Sequence, residues 1–170
     1  KEKNIGTWSE FKSYSKFKDK QLIFAIGYKN LNKKRKALQR VINSGANLAN
    51  LILSNNTQIP KDRIGQGNII FPGAFFESNV TVGSGNVFWS SSHICHDVSI
   101  GDCNFFAAKS VVGGNTSIRN SNFIGLSASI RDNLVINDCI ELGMGATLVS
   151  SQLSPAQLIG TPAKPNQVDK

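Results

Sequence analysis

A chain of 170 residues with 19 Lys/Arg against 11 Asp/Glu carries a net charge of +8, and its three cysteines argue against a disulfide framework. No run of 18 apolar residues and no signal-peptide pattern occurs, so a cytoplasmic protein without a membrane span is expected. The charge is split: residues 1–63 hold 14 Lys/Arg and 4 Asp/Glu, whereas residues 64–170 hold 5 and 7, which marks two segments of different character. The basic segment suits plain solubility or attraction of phosphate-bearing ligands, and no nucleic-acid motif accompanies it.

In chain order, Thr7 and Glu10 have capping-box spacing, which predicts a short helix over Trp8 to Tyr14. Leu22 to Ile26 reads as a short buried strand ending at Gly27. A second helix is predicted over Lys33 to Asn43, with Leu38, Val41 and Ile42 inward, the cations Lys33, Lys34, Arg35, Lys36 and Arg40 outward, and Gly45 as its stop. Leu48 to Leu53 offers the next strand. Such αβαβ order suits a parallel sheet, yet two strands make a poor one and no glycine-rich strand-turn-helix opens it. Residues 1–52 therefore read as a truncated, Rossmann-like α/β domain.

From Ile64 to Leu148 the pattern changes. Fifteen positions spaced by six are all apolar: Ile64, Ile70, Phe76, Val82, Phe88, Ile94, Ile100, Phe106, Val112, Ile118, Ile124, Ile130, Ile136, Leu142 and Leu148. A period of six is neither helical nor that of a lone strand, so each hexapeptide returns one side chain to a shared interior. A second period of eighteen groups the hexads. Gly65, Gly83 and Gly101 recur in the second slot, as do Gly125 and Gly143. Asn68, Asn86, Asn104 and Asn122 form one fifth-slot column, with two further columns of small or apolar residues. Three hexads thus make one coil of a triangular prism of parallel sheets, with coils about 4.8 Å apart. Glycines are expected at corners that need positive φ, and asparagines in ladders of side-chain hydrogen bonds. About five to six coils fill residues 53–153, and 154–170 form a C-terminal segment. Cys103 and Cys139 fall two coils, about 9.6 Å, apart, too far for a bridge.

Both histidines lie in Ser92-His93-Ile94-Cys95-His96-Asp97-Val98. Since the first slot points inward, third-slot His96 is expected on the outer face. An imidazole beside a carboxylate is a general-base pair, with Asp97 orienting His96 and stabilising the imidazolium. One coil on, in the same slot, Gly114 offers a backbone N–H unshielded by a side chain, suited to a developing oxyanion. Third-slot Leu126 and Met144 are also eighteen apart, an outward apolar column that needs a cover. No feature lowers the pKa of Cys95, which reads as filler rather than nucleophile.

The hexapeptide coils resemble the left-handed parallel β-helix of hexapeptide-repeat acyltransferases. More specifically, His96-Asp97-Val98-Ser99-Ile100-Gly101-Asp102 resembles the His-Asp/Glu-x-x-Ile-Gly-Asp/Glu signature of NeuD/PglD-type sugar acyltransferases. The likeness continues through Gly113-Gly114-Asn115, Asn122-Phe-Ile-Gly125 and Gly160-Thr-Pro-Ala-Lys164, and Phe24-Ala-Ile-Gly27 resembles part of the family's N-terminal domain. This resemblance implies a left-handed helix and acetyl-CoA as co-substrate, with no metal. It further implies a homotrimer with sites between subunits and a nucleotide-sugar acceptor bound by the N-terminal domain near Gly27 and Tyr28. His96 inherits the role of base and Asp97 its support. Phe105, Gly114, Leu126, Gly143, Met144, Pro162 and Lys164 inherit positions along the acetyl-CoA channel. Some relatives carry a second histidine where this chain has Phe105, which supplies packing only; His93 is a candidate for compensating support. The expected activity is acetyl transfer to the amine of a nucleotide-linked amino sugar, with O-acetylation of a sialic acid type of sugar or a non-catalytic scaffold as alternatives. A γ-carbonic-anhydrase-like zinc site would need a third histidine, and the Thr-x-Thr columns of an ice-binding prism do not occur.

Overall fold

A computed structural model describes residues 21–53 and 59–166, so the helix expected over Trp8 to Tyr14 lies outside the described residues. Gln21–Leu22 (β1) pairs in parallel with Asn47–Leu48 (β2), and helix α1, Leu31–Asn43, connects them. Asn30 caps the helix, its Oδ1 accepting from the Lys33 N–H at 2.8 Å. Gly45, at φ 76°, ends it by donating to the Ile42 carbonyl at 2.9 Å. Regular pairing of the first strand stops at Leu22, and the stretch expected as one strand over Leu48 to Leu53 divides. Leu48 stays in the two-stranded sheet, and Leu51–Ile52 (β3) pairs with Ile69–Ile70 as the first rung of the prism.

One residue of the expected exposed face of α1 turns inward. Lys34 is 1% exposed, because the spacing of Leu31, Lys34 and Leu38 places all three on one helical stripe, and that stripe lies against the prism. Leu38 packs with Cys103, and a Cβ on Gly85 would meet Leu38 Cδ2 at 2.8 Å. Burial lowers the pKa of Lys34 and raises that of Cys103 to about 11. An Arg35–Asp138 ion pair at 3.1 Å and a Cys139 Sγ to Asn32 Oδ1 contact at 3.2 Å fasten the outer side of the same helix. All three cysteines are free.

The rest of the chain winds a prism of three sheets in which successive two-residue rungs visit each face in turn. The first face has eight strands in the order Leu51–Ile52, Ile69–Ile70, Val87–Phe88, Phe105–Phe106, Phe123–Ile124, Ile140–Leu142, Ala156–Ile159 and Lys164–Pro165. All are parallel except the last, which turns back antiparallel. The second face stacks Phe75–Phe76, His93–Ile94, Val111–Val112, Ser129–Ile130 and Thr147–Leu148; the third stacks Thr81–Val82, Ser99–Ile100, Ser117–Ile118 and Val135–Ile136. Pairings of successive coils join residues eighteen apart, such as Val111 with His93 and Ser129, until the last coil, where Ile140 meets Ala156 and Leu142 meets Leu158 at sixteen.

Fourteen of the fifteen hexad positions are at most 5% exposed, and Ile64 packs partly buried at the entry. The asparagine column forms the expected ladder: the N–H groups of Asn68, Asn86, Asn104 and Asn122 donate to the preceding Asn Oδ1, each at 2.8 Å, beginning from Asn50. Positive φ falls elsewhere than expected. It recurs in the fourth slot of every hexad from Gly67 to Gly145, and ten of these residues, Asp97 among them, are not glycine. Second-slot glycines serve coil spacing instead: a Cβ on Gly83 would lie 2.7 Å from the carbonyl oxygen of Gly101. Rung hydrogen bonds hold neighbouring backbones too close for a side chain there.

Candidate active site

His96 and Asp97 occupy the corner between the His93–Ile94 and Ser99–Ile100 rungs. Valine and isoleucine on either side, Ile94 and Val98, are fully buried and fix this corner to the core. The imidazole is half exposed and lies flat on Gly114, where a Cβ would meet Cε1 at 2.7 Å, Nε2 at 2.8 Å and Nδ1 at 3.1 Å. Stacking at eighteen residues therefore brings together the pair that the register predicts. Gly114 is buried beneath the ring, and its N–H has no hydrogen-bond partner among the described residues.

Asp97 Oδ2 accepts from His96 Nδ1 at 2.9 Å, which leaves the Nε2 lone pair toward solvent. Asp97 is itself held. Asn79, one coil below in the same slot, donates Nδ2 to Asp97 Oδ1 at 3.0 Å, and Arg63 Nη1 donates to Asn79 Oδ1 at 3.0 Å. The His96 hydrogen bond, and then that of Asn79, hold the Asp97 carboxyl below its ordinary pKa. Glu77 braces the other side: Oε2 accepts the His96 backbone N–H at 2.9 Å and Oε1 accepts from His93 Nε2 at 2.9 Å. The His93 hydrogen bond chiefly lowers the Glu77 pKa. His93 thus reaches the base through Glu77 and not directly. Burial, and then Glu77, raise the Cys95 thiol, so it lacks the thiolate character of a nucleophile. Among the described residues, Glu77, His93 and Cys95 bring their ligand atoms within 4.8 Å of one another, the one such cluster able to hold a metal ion.

Glu77, Asn79 and Arg63 were not singled out from sequence. The signal was available by running the register backwards: eighteen before Cys95 is Glu77, and eighteen before Asp97 is Asn79.

The remaining predicted residues gather at other places. Phe105 is buried, stacked on Phe123 with centroids 5.3 Å apart, and Tyr28 covers it at 4.6 Å. Tyr28, Phe105, Phe123, Trp89 and Leu126 line one apolar cleft of about 240 Å³. Leu126 and Met144, 50% and 78% exposed, form the expected outward column. Their corner joins the Phe123–Ile124 and Ser129–Ile130 faces, so it is a different edge of the prism from that of His96. Gly143 donates to the Leu158 carbonyl at 2.7 Å. Pro162 and Lys164 are exposed in the closing hairpin, where Lys164 pairs with Ile159. Gly27 is exposed, with open space around it.

No protein-family model matches the sequence, and no curated protein matches it. Solved structures do. The chain is similar to the acetyltransferase domain of PglB from Neisseria gonorrhoeae, with a TM-score of 0.81 and 22% identity over 95% of this chain and 78% of that one. It is similar to PerB from Caulobacter crescentus in complex with CoA and GDP-perosamine, with a TM-score of 0.74 and 20% identity over 81% of this chain and 66% of that one. A mutant of AntD, an N-acyltransferase from Bacillus cereus in complex with dTDP-4-amino-4,6-dideoxyglucose and Coenzyme A, aligns with a TM-score of 0.57 and 15% identity, over 77% and 87%. These likenesses define the class of fold: the chain is mainly β and shares the parallel β-helix of these structures. Among the described residues, no helix is long and apolar enough to cross a membrane.

Proposed function

We propose that this chain is an acyltransferase that moves an acetyl group from acetyl-CoA to the amine of a nucleotide-linked amino sugar. The observation that carries the reading is the His96–Asp97 pair seated on Gly114, with one imidazole nitrogen held by a carboxylate and the other free toward solvent. Support comes from the partners named in the similar structures: acetyl coenzyme A with the PglB domain, CoA with GDP-perosamine on PerB, and CoA with a dTDP-amino sugar on AntD.

The amine attacks the thioester carbonyl while His96 Nε2 takes its proton. Asp97 then stabilises the imidazolium, and the coenzyme thiolate leaves. The Gly114 N–H is the donor for the oxyanion. Asn79 and Glu77 keep carboxylate and imidazole in place, so binding energy is not spent on orienting the base. Leu126 and Met144 lie on a different edge from His96, so one prism does not line both ends of a long thioester. A trimer in which a neighbour's Leu126–Met144 edge faces His96 supplies the coenzyme channel and covers this apolar column. In that assembly Phe105, Gly143, Pro162 and Lys164 belong to the acetyl-CoA side, and Gly27 and Tyr28 to the acceptor side. His93 supports catalysis only through Glu77.

The test is thiol release from acetyl-CoA with a panel of amino sugars and their nucleotide conjugates, alongside titration calorimetry with acetyl-CoA. Release dependent on a nucleotide-linked amine supports the proposal. Activity on free amino sugars alone removes the nucleotide from the acceptor, and activity on hydroxyl acceptors alone replaces the amine with a sugar hydroxyl of the sialic acid type. Absence of acetyl-CoA binding makes the prism a scaffold and refutes the reading.

A further inference from the structure

Beside the proposed base, Cys95 adds to the Glu77–His93 brace a sulfur that acetyl transfer does not use. Cys95 and Glu77 occupy the same slot of adjacent coils, and His93 precedes Cys95 by two residues, so all three side chains stand on one outer face. Their ligand atoms lie within 4.8 Å of one another, and His93 Nε2 already meets Glu77 Oε1 at 2.9 Å. The geometry points to a binding site for a thiophilic divalent cation, Zn²⁺ in kind, held by Cys95 Sγ, His93 Nε2 and Glu77 Oε1.

Three features make this more than a coincidence of polar residues. First, the donors are one sulfur, one nitrogen and one oxygen, a set that suits zinc or cobalt and not magnesium or calcium. Second, the site is pre-formed. His93 and Phe75 are register partners on adjacent rungs, and the Phe75 ring stands edge-on to the imidazole with centroids 5.1 Å apart. Glu77 Oε2 is anchored by the His96 N–H at 2.9 Å, which turns Oε1 toward His93 and Cys95. Third, all three residues are half-buried, so the site is reachable and its outward side can take a fourth ligand such as water. On binding, the Cys95 thiol gives its proton to solvent, and His93 gives up the Nε2 proton it shares with Glu77 and carries its proton on Nδ1, so Nε2 is free to ligate and the cation gains one thiolate and one carboxylate.

The position of the site gives it a consequence. Glu77 is shared between the cation and the His96 backbone, so drawing Oε1 onto a cation shifts the brace that seats the His96 ring on Gly114. Occupancy therefore inhibits transfer, and this part rests on the acetyltransferase reading above. The site is a brake and not a cofactor site.

The experiment titrates the metal-free full chain with Co²⁺ and follows sulfur-to-cobalt charge transfer and the visible bands of tetrahedral cobalt, with Zn²⁺ as competitor. One equivalent per chain is expected, displaced by Zn²⁺. Cys95→Ser should abolish the charge-transfer band, and His93→Ala should weaken binding by at least about tenfold. Cys139→Ser, which alters the other partly exposed thiol, should change neither. No stoichiometric Co²⁺, or a band that survives Cys95→Ser in a protein with an unaltered melting curve, overturns the site. A parallel thiol-release assay should show Zn²⁺ inhibiting the native chain and sparing Cys95→Ser. Bound cobalt with full transfer overturns the brake alone, whereas no transfer by the metal-free chain on any acceptor overturns the acetyltransferase reading and leaves the site.

Discussion

Replacing Gly114 by alanine separates the seat of the base from every other element of the site. The added Cβ would stand 2.7 Å from His96 Cε1 and 2.8 Å from Nε2, whereas ordinary contact begins near 3.4 Å. One of the two must retreat by roughly 0.7 Å. The backbones cannot, because the Asn115 N–H donates to the His96 carbonyl at 3.0 Å and the flanking rungs are paired in register. The half-exposed imidazole is free to swing outward and loses its hydrogen bond to Asp97. Because the ring moves toward solvent, folding should suffer by less than about 1 kcal/mol. A base misplaced by about 1 Å costs on the order of 10²-fold in rate. The N–H of residue 114 is retained, so the loss reports on the imidazole and not on the oxyanion donor. The assay is thiol release at saturating acetyl-CoA, with thermal melting as the check on folding. Turnover within about twofold of the native chain, at an unchanged melting temperature, would refute the role of the His96–Gly114 contact.

Three further outcomes follow from the same geometry. Asp97 titrates below its ordinary range, so its support of His96 is complete above that range and is lost as pH falls through the lowered value; Asn79→Leu removes one cause, and the Asp97 carboxyl, followed by carboxyl-carbon NMR, should titrate at higher pH than in the native chain. Cys95, raised by burial and Glu77, should alkylate more slowly at pH 8 than a free thiol, and Cys103, buried and at about 11, should not react until the chain unfolds; mass-resolved iodoacetamide labelling measures both. Burial lowers the pKa of Lys34, so its charge opposes folding and stability rises with pH through the range between the lowered value and the ordinary one. Lys34→Met keeps the packing and removes the ammonium, which should raise neutral-pH stability by on the order of 1 kcal/mol in chemical denaturation.

The hexad register made the prism legible because one residue in six must face a shared interior, and fifteen apolar residues hold that spacing without a break. The same arithmetic set His96 against Gly114. It was less informative about backbone conformation: the second-slot glycines suggested positive φ, whereas they answer to the distance between coils, and the left-handed corner belongs to the fourth slot, where Asp97, Cys103 and Lys109 adopt it. Those residues carry no compositional mark of a left-handed corner. Lys34 is not legible as a buried residue, because a cation in a basic run reads as solvated and only the packing of α1 on the Cys103 corner shows which stripe is covered. Glu77 and Asn79 precede the histidine motif by a full coil, so the local motif does not contain them.

The central claim is that His96 removes the acceptor proton during acetyl transfer, and the direct test is His96→Ala in the thiol-release assay with nucleotide-linked amino sugars. The ring is half exposed, so the variant should melt like the native chain and bind acetyl-CoA as well. Transfer should fall by a factor on the order of 10² to 10⁴. Near-native turnover in the folded variant would contradict the account.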